Sequence, residues 1–549
     1  MSKFNTKGAK PSATSPMNTT GETRTHEGGL AWTHDNKSAL LLLAVTNMVG
    51  EATFYETGTT RDARYRDLIS KVAVSDAEWM CNFIGWLRDK ANMRSAAIVA
   101  ACEAVKARLD ADGGNARNGS KGDGFNRRMI SGACQRADEP GELLAYWTSR
   151  YGRKLPKPVK RGVADAVRRL YNGKNLLKYD SDAKEYRFGD VVELVHPAPA
   201  HDKPWQGELF RYALDRRHNR PDVRLPDGNV TLAARQVLMD LPVSERRKVL
   251  LSDDGPEKLA VAGMTWESLS GWLQGPMDAK AWEAIIPSMG AFALMRNLRN
   301  FDEAKISDKV AAAVCEKLSN PEDIRMARVF PYRLLSAYRA APSLRWGHAL
   351  DKGLDAACGN LPEFPGRTLV LVDTSASMRG VVSAKSSVRH VDIGALFGVA
   401  LAMRGADVDL YGFAGDGYGN VVFPHSLVKG GSALKQIDSF CGKIGTVGHG
   451  TQTVEAVRAT FRETVHQRVV IVSDMQTHLS AGWGGMSVSN AVPKDVPIFG
   501  INTSGYGSTS INTSDPNRYE IGGFSDAMFT MMDLLSRGHS AGWPWENDK

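Results

Sequence analysis

Apolar residues recur at helical spacing over the first two thirds of the chain. After a capping pattern at Ser75–Glu78, Phe83 and Leu87 fall on one face of a helix, and Asn320 followed by proline begins another. No convincing run of alternating strand residues interrupts this part. Successive helix pairs without a fixed period predict an irregular α-solenoid of the HEAT type. A plain helical bundle is the alternative, which a length above 300 residues disfavours.

The pattern of apolar residues changes after Pro362–Gly366, a segment whose prolines and glycine interrupt regular structure. Short apolar segments then alternate with helices. The predicted strands are Thr368–Asp373, Asp407–Phe413, Arg468–Ser473 and Val496–Asn502, and the predicted helices include His390–Arg404 and one from about Ser525 to Ser536. This alternation is typical of a doubly wound α/β domain with a parallel sheet covered on both faces. In such sheets, ligands bind beyond the carboxyl ends of the strands.

Composition places the chain among ordinary globular proteins. It has 549 residues, 42% hydrophobic and 24% charged, which excludes a wholly disordered or collagen-like chain. The six cysteines are far apart and form no Cys-x-x-Cys pair, as expected for reduced thiols. No apolar run reaches the length of a membrane span, and the polar stretch up to residue 27 lacks the apolar region of a signal peptide. We therefore expect a flexible tail over residues 1–27, no membrane contact and a cytoplasmic location.

Charge is distributed unevenly along the chain. The net charge is +8, yet from Arg367 onward acidic residues slightly outnumber basic ones, so the excess lies in the helical part. Eight basic residues occur within Lys154–Lys178, and Tyr171 and Tyr179 lie among them. Lys and Arg bind phosphates with little sequence preference, and tyrosines stack on unpaired bases. The segment predicts a nucleic-acid surface; a solvated basic helix face is the alternative.

Oxygen-bearing side chains follow two of the predicted strands. Asp373, Ser375 and Ser377 stand at alternate positions after the first, and Asp474 directly follows a later one. Thr451 precedes a predicted helix. Such oxygens suit a hard cation, with Mg²⁺ as the expected ion. Together they resemble the metal-ion-dependent adhesion site of a von Willebrand factor A-type domain, in which the cation accepts a partner's carboxylate. A metal-free turn cluster is the alternative.

Two loops depart from the usual pattern of these sites. Thr451 lies in His449-Gly-Thr-Gln, where Gly-Gly-Thr followed by an acid is expected, and Asp474 lies in Ser-Asp-Met-Gln. A metal-dependent hydrolase would need a general base beside the metal-bound water. Asp373 and Asp474 are both expected to serve the cation, whereas His449 is interpreted as a surface residue and Asp416 as part of a turn. No catalytic residue is predicted, and the chain is not expected to be an enzyme.

A helical solenoid followed by an A-type domain resembles the TROVE family, which includes the Ro ribonucleoprotein autoantigen and its bacterial relatives. The resemblance spans nearly the whole chain from about Gly28. The segments that carry it are Glu51–Tyr55, Arg161–Arg168 with Lys178-Tyr179, Asp190–Pro197, Met289–Asn300 and Arg328–Leu335. Asp202–Ser244 has no counterpart in the family pattern and is interpreted as a surface insertion.

The resemblance implies a multidomain fold: an all-α HEAT-like solenoid ring (28–360), followed by an α/β von Willebrand factor A-type domain (361–549) that closes it. It further implies a non-enzymatic, monomeric ring. Such rings bind small structured noncoding RNA (Y RNA or a relative) on the outer surface and single-stranded 3′ ends of misfolded RNA in the central hole, and bacterial relatives act with an exoribonuclease in RNA maturation and decay. The candidate RNA-binding residues are Lys154, Lys157, Lys160, Arg161, Arg168, Arg169, Lys174, Lys178, Tyr179 and His196.

Two alternatives stay open. His196 matches a family position associated with RNA contact, but a buried histidine that caps a helix is an equal interpretation. The whole chain is alternatively a protein-interaction module, in which the cation site formed by Asp373, Ser375, Ser377, Thr451 and Asp474 captures an acidic partner and RNA binding is incidental.

Overall fold

The structure is a computed structural model of the chain. It describes residues 13–546 except for 47–48, 112–123, 342, 360, 362–365, 385, 405–406, 417–418, 429–430 and 524–525. The expected break at Pro362–Gly366 thus lies almost wholly outside the described residues, and so do residues 1–12 of the expected tail. The chain divides into two compact units. We call Ile69–Ala357 the helical unit, and Met1–Leu68 with Cys358–Lys549 the α/β unit.

Helices account for almost all regular structure in the helical unit. Two helices come first along the chain: α1 (Asn36–Thr46), which precedes this unit, and α2 (Gly58–Ser75), within which the unit begins. The others are α3 (Ala77–Asp89), α4 (Arg94–Ala111), α5 (Phe125–Gly132), α6 (Glu139–Tyr151), α7 (Lys157–Leu170), α8 (Gly173–Tyr179), α9 (Phe188–Val195), α10 (Gln206–Arg217), α11 (Val230–Met239), α12 (Val243–Leu251), α13 (Gly255–Val261), α14 (Trp266–Leu273), α15 (Ala279–Ile285), α16 (Ala291–Arg296), α17 (Leu298–Ala304), α18 (Asp308–Ser319), α19 (Pro321–Ala327), α20 (Pro331–Ala340) and α21 (Leu344–Ala357).

The helices begin at capping residues of the expected types, but one cap lies one residue later than predicted. Asn320 caps α19, accepting from the backbone N–H groups of Glu322 and Asp323 at 2.9 and 3.2 Å. At α3 the cap is Asp76, which accepts from Trp79 N at 3.0 Å, one residue after the predicted Ser75. Aspartate is as good a cap as serine, and the preceding helix α2 extends to Ser75.

Ionic contacts tie distant parts of the helical unit together. Arg88 on α3 pairs with the fully buried carboxylate of Glu139 at 2.7 Å, which joins α3 to the first turn of α6. Arg328 donates to the backbone carbonyl of Asp89 at 2.6 Å and reaches its carboxylate at 3.2 Å. Because these two residues are 239 positions apart, this contact joins the beginning and the end of the helical unit.

The α/β unit contains a six-stranded sheet and a smaller three-stranded one. Its strands are β1 (Thr19–Arg24), β2 (Leu30–His34), β3 (Thr368–Asp373), β4 (Val408–Phe413), β5 (Val422–Pro424), β6 (Arg468–Ser473), β7 (Ile498–Asn502), β8 (Ser508–Thr509) and β9 (Arg518–Gly522), and its later helices are α22 (His390–Arg404), α23 (Ala433–Cys441), α24 (Thr453–Thr460) and α25 (Asp526–Ser536).

The six strands lie in the order β5-β4-β3-β6-β7-β9, and all pairs except β4 with β5 are parallel. Every residue of β3, β6, β7 and β9 is buried, as a sheet covered on both faces requires. The chain runs from β3 to β4 on one side and returns to β6 on the other. This reversal places a crevice at the carboxyl ends of β3 and β6.

The N-terminal segment differs from the prediction of a tail over 1–27 and a helical domain from 28. β1 pairs with β2 in an antiparallel hairpin, and β2 pairs with β8. α1 packs against β9, with Leu42 against Gly522. The β1 sequence, Thr-Thr-Gly-Glu-Thr-Arg, has no alternation of apolar residues and does not by itself indicate a strand. The strand forms because the rest of the α/β unit supplies its partners. These residues therefore belong to the α/β unit.

The segment Asp202–Ser244, interpreted above as a surface insertion, contains α10 and α11. α10 packs on α9 and buries Leu209 and Phe210. Arg217 at its end pairs with Asp190 of α9 at 2.7 Å. At least α10 is thus part of the packing of the helical unit.

Two further observations concern the chain as a whole. No helix in the described ranges has both the length and the apolar character needed to cross a bilayer. The six cysteines are thiols that form no disulfide, and four of them are buried.

Candidate cation site and basic surface

The predicted cation ligands meet at the crevice between β3 and β6. Asp373 is the last residue of β3, and Asp474 directly follows β6. Since these strands are hydrogen-bonded neighbours in parallel register, both carboxylates lie at the same edge of the sheet. Asp373, Ser375, Ser377 and Asp474 are all buried. The spacing in the sequence therefore predicted side chains that the fold brings together.

Hydrogen bonds fix the loop after β3. Asp373 accepts from the backbone N–H of Ser375 at 2.8 Å through Oδ1 and from the Ser473 hydroxyl at 2.6 Å through Oδ2. The hydroxyls of Ser375 and Ser377 lie 3.2 Å apart. The two hydroxyl oxygens thereby lie next to each other on the loop whose backbone is bonded to the Asp373 carboxylate.

The loop that carries Thr451 is hydrogen-bonded to the loop after β3. The backbone N–H of Ala376 donates to the carbonyl of His449 at 2.8 Å, which joins this loop to the loop after β3. Asp416 accepts from the His449 N–H at 2.7 Å, so this residue does more than form a turn. The His449 ring is exposed and contacts Arg379 at 2.8 Å. Thr451 is buried.

The electrostatics of the crevice favour a cation. Burial raises the pKa of Asp373, and burial together with the neighbouring charge of Asp373 raises the pKa of Asp474. Asp474 Oδ2 is buried and finds no hydrogen-bond partner among the described residues. Two desolvated carboxylates with an unpaired oxygen are costly without a counter-charge, and a divalent cation supplies one.

The donor set is nonetheless sparse. Within the described ranges, no group of three or more His, Cys, Asp or Glu side chains is placed to hold a metal. A cation here depends on hydroxyl oxygens and water in addition to the two carboxylates. That is the donor chemistry of Mg²⁺, which keeps several waters, so the residues fit this ion.

The basic cluster Lys154–Lys178 lies on α7, α8 and the loop before them. Val159, Val163 and Val167 bury one face of α7, and the opposite face carries Lys157, Lys160 and Arg161. Six of the basic side chains have no carboxylate within ion-pair distance among the described residues: Lys154, Lys157, Lys160, Arg161, Lys174 and Lys178. All six are exposed or half-buried.

The other two cationic candidates are engaged in the fold. Arg168 donates to the Ala198 carbonyl at 2.8 Å and pairs with Asp165 at 3.2 Å. Arg169 donates to the carbonyl of Ser131 at 3.0 Å and to that of Cys134. Their guanidinium groups anchor α7 to its surroundings.

The two tyrosines of the segment differ. Tyr171 is buried and stacks on Phe188 with 3.8 Å between the ring centroids, so it is a core residue, and the expectation that it stacks on RNA bases is wrong. Tyr179 is half-buried, with the Lys178 ammonium 5.1 Å and the Arg136 guanidinium 5.4 Å from its ring centroid. Arg136 is a cationic neighbour that sequence proximity could not reveal.

His196 is exposed rather than buried. It ends α9 in the left-handed backbone region, with φ of 49°. Its side chain lines a cavity of about 600 Å³ together with Phe210, Arg211 and His218 of the segment after it. A role as a buried capping residue is therefore wrong for its side chain.

The last third of the helical unit resembles a known family. Residues 260–362 match the TROVE domain. The resemblance to the TROVE family is confirmed. The match includes the segments Met289–Asn300 and Arg328–Leu335 that carried the resemblance in the sequence.

A solved structure has a similar fold. The crystal structure of the Deinococcus radiodurans Ro (RSR) protein matches with a TM-score of 0.58 at 15% sequence identity, covering 92% of this chain and 100% of that one. The fold class is thereby confirmed: a helix-rich region of the HEAT-like solenoid kind is followed by an α/β domain of the von Willebrand factor A type. The TROVE match includes neither Lys154–Lys178 nor the cation loops, so the roles of those residues stay predictions.

Proposed function

We propose that this chain is a non-enzymatic RNA-binding ring protein of the cytoplasm. Its basic surface binds small structured noncoding RNA of the Y RNA kind, and its central hole takes single-stranded 3′ ends of misfolded RNA. It thereby serves RNA maturation or quality control beside an exoribonuclease. The observation that carries this proposal is the set of basic side chains on α7 and α8 that lack carboxylate partners. The TROVE match and the fold shared with the Deinococcus Ro protein support it.

The charges of these basic side chains are not neutralised by neighbouring carboxylates of the described residues. Several other exposed cations of the helical unit are paired, as Lys248 is with Glu245 and Lys258 with Asp254, both at 2.8 Å. Lys157, Lys160 and Arg161 have no such partner among the described residues, so their charges are available to phosphates. Phosphate contacts release counterions and give affinity that depends steeply on salt. A protein that accepts diverse RNAs needs this sequence-independent binding.

The test measures binding of a hairpin RNA with a single-stranded 3′ tail over a salt series. We expect the variant Lys157→Ala/Lys160→Ala/Arg161→Ala to lose about tenfold or more in affinity. The slope of log affinity against log salt should become shallower by about 0.7 to 0.9 for each phosphate that the variant no longer neutralises.

The matched control is Lys248→Ala/Lys258→Ala/Arg325→Ala, which removes the same charge from ion-paired surface positions. We expect it to bind nearly as well as the wild type. If both triple variants lose the same affinity, net charge alone explains binding, and α7 is not the RNA surface.

The buried carboxylate pair favours a second candidate function. Asp373 and Asp474 face a crevice that fits Mg²⁺, and a cation there can receive a carboxylate from a protein partner. In that case the chain is an interaction module that captures an acidic partner, and RNA binding is incidental. The last experiment of the Discussion separates the two functions.

A further inference from the structure

A cavity of about 600 Å³ in the helical unit is lined by residues of α8, α10, α11 and the loop that joins the last two. Its apolar wall includes Leu177 of α8, Leu225 of that loop and Met239 of α11. These three side chains are exposed or half-buried, so they face the cavity rather than a closed core. No Asp or Glu of the described residues lines it. A cavity of this size holds a small organic ligand.

Arg235 of α11 is a buried cation in the wall of this cavity. Only 9% of its surface is exposed. It donates from Nε to the Ala262 carbonyl at 3.0 Å and from Nη2 to the Gly263 carbonyl at 3.1 Å. Its other contacts are weak ones, from Nη1 to the sulfur of Met264 at 2.8 Å and from Nη2 to the Ser268 hydroxyl at 3.5 Å. All of these partners are neutral, so the charge of Arg235 has no counter-charge among them.

The hydrogen bonds of Arg235 are also incomplete. A guanidinium group carries five N–H donors, and these four contacts leave at least one of them without a partner in the described part of the chain. Arg518 of β9, which is also buried, instead makes five hydrogen bonds to backbone carbonyls, those of Ser489, Val492, Pro493, Val496 and Asn517. Because a buried charge is costly without full compensation, Arg235 favours an anionic ligand in the cavity.

A second guanidinium group, that of Arg216 on α10, lines the same cavity and lies 5.6 Å from the centroid of the Tyr212 ring. Its ion-pair partner is Asp180 at 3.9 Å, but the same carboxylate oxygen already pairs with Arg187 at 3.0 Å. Burial first, and the positive charge of Arg216 second, lower the pKa of Arg235. The two guanidinium groups therefore repel each other, and an anion beside them relieves the repulsion.

The cavity adjoins the basic surface of α8. Leu177, in its wall, stands between Lys174 and Lys178 in the sequence. A Cβ on Gly263, whose carbonyl binds Arg235, would lie 3.7 Å from Cδ1 of Leu177 and 4.0 Å from Cγ of Lys174. The stem of Lys174 thus passes beside the wall of the cavity. RNA whose phosphates contact α8 therefore lies close to the two arginines.

We propose that this cavity binds a nucleoside monophosphate group, with the phosphate at Arg216 and Arg235 and the base against Tyr212 and the apolar wall. The N–H donors of arginine match phosphate oxygens, and aromatic and apolar side chains pack on the face of any base. Since the cavity adjoins the basic surface, the source of this group is an unpaired nucleotide of bound RNA rather than a free nucleotide. This inference rests on the proposal that the chain binds RNA.

The first part of the test compares a blunt RNA duplex that carries one bulged nucleotide with the same duplex fully paired. We expect the wild type to bind the bulged duplex about tenfold more tightly, because the unpaired nucleotide enters the cavity. Arg216→Gln should remove most of this difference, and so should Leu225→Trp, which fills the cavity without changing its charge. The variant Lys157→Ala/Lys160→Ala/Arg161→Ala should weaken binding of both duplexes by the same factor.

The second part tests the cavity without RNA, by calorimetric titration with adenosine 5′-monophosphate. Arg216→Gln and Leu225→Trp should each lower the affinity about tenfold. The matched control is Arg211→Gln on the same helix. Arg211 also lies 3.9 Å from one carboxylate, that of Asp215, but it does not line this cavity. This control should bind the nucleotide and the bulged duplex as the wild type does, and thermal unfolding verifies that each variant is folded.

Several outcomes would overturn the inference. Equal losses in Arg216→Gln and Arg211→Gln mean that the charge of α10, and not the cavity, binds the ligand. A nucleotide affinity that Leu225→Trp leaves unchanged excludes the cavity. Nucleotide binding without preference for the bulged duplex assigns the cavity to a free nucleotide instead of RNA. A wild type that binds neither duplex contradicts the proposed function itself, whereas loss of the bulge preference alone in the wild type contradicts only the present inference.

Discussion

At the scale of single residues, His390 at the start of α22 shows how burial sets a charge state. The ring is buried, its Nδ1 has no hydrogen-bond partner in the described part of the chain, and the guanidinium of Arg61 is a charged neighbour. Burial first, and the positive charge of Arg61 second, lower the pKa of His390 to about 4. The histidine is therefore neutral in the folded protein at physiological pH.

This low pKa predicts a loss of stability in mild acid. Below about pH 6.5 the unfolded chain protonates His390, whereas the folded chain does so only near pH 4. The contribution of the neutral His390 to the free energy of unfolding is fully present above pH 6.5. It is lost as the pH falls toward 4, and the loss reaches up to about 3 kcal/mol. Urea unfolding between pH 7 and 4.5 measures it. His390→Gln should flatten the pH dependence, and the exposed His348→Gln should not; equal slopes in all three proteins would contradict the assignment.

At the scale of elements, α7 is held against α5 by a glycine. A Cβ at Gly162 would lie 2.6 Å from Cβ of Ile130 and 2.7 Å from the carbonyl oxygen of Arg127. The close approach buries the apolar face of α7 and leaves its basic face outward. The glycine thus supports the proposed RNA surface without touching RNA.

We expect Gly162→Ala to lower the free energy of unfolding by about 1–3 kcal/mol, because the backbone carbonyl cannot move aside as a flexible side chain can. Hydrogen exchange of the α7 amides, together with thermal unfolding, locates the effect. Gly271→Ala on α14 is the control, since its Cβ meets no atom within 4 Å and alanine favours helix. It should be neutral or slightly stabilising, and a Gly162→Ala chain as stable as the wild type would refute the packing argument.

Elements were predictable from the sequence where local pattern decides them. β3 and β6 have the predicted bounds, because buried parallel strands are continuous apolar runs. β1 and β2 were missed because their pairing depends on partners distant in the chain, β8 among them. The same distinction between local pattern and tertiary pairing applies to the residues around the candidate cation site. Asp373 ends one recognisable strand and Asp474 follows another, whereas the contacts of Thr25 and His26 with the loop after β6 arise from tertiary folding alone.

At the scale of the whole molecule, the modest net charge of +8 conceals two unlike surfaces. The helical unit carries the unpaired cations of α7 and α8, and the α/β unit carries two buried carboxylates whose pKa values are raised. A polyanion suits the first surface and a divalent cation suits the second. Each surface is built from residues of one compact unit.

This separation predicts that the two binding activities can be removed independently. Asp373→Ala should abolish binding of Mn²⁺, the probe for the cation site, and leave the affinity for the tailed RNA within about twofold, since the two sites are built from different compact units and share no residues. The variant Lys157→Ala/Lys160→Ala/Arg161→Ala should do the reverse. Calorimetry with Mn²⁺ and RNA titrations, each with and without saturating Mn²⁺, complete the comparison. Loss of RNA affinity in Asp373→Ala would instead mean that the cation takes part in RNA binding, and the chain would then have one composite recognition surface rather than two.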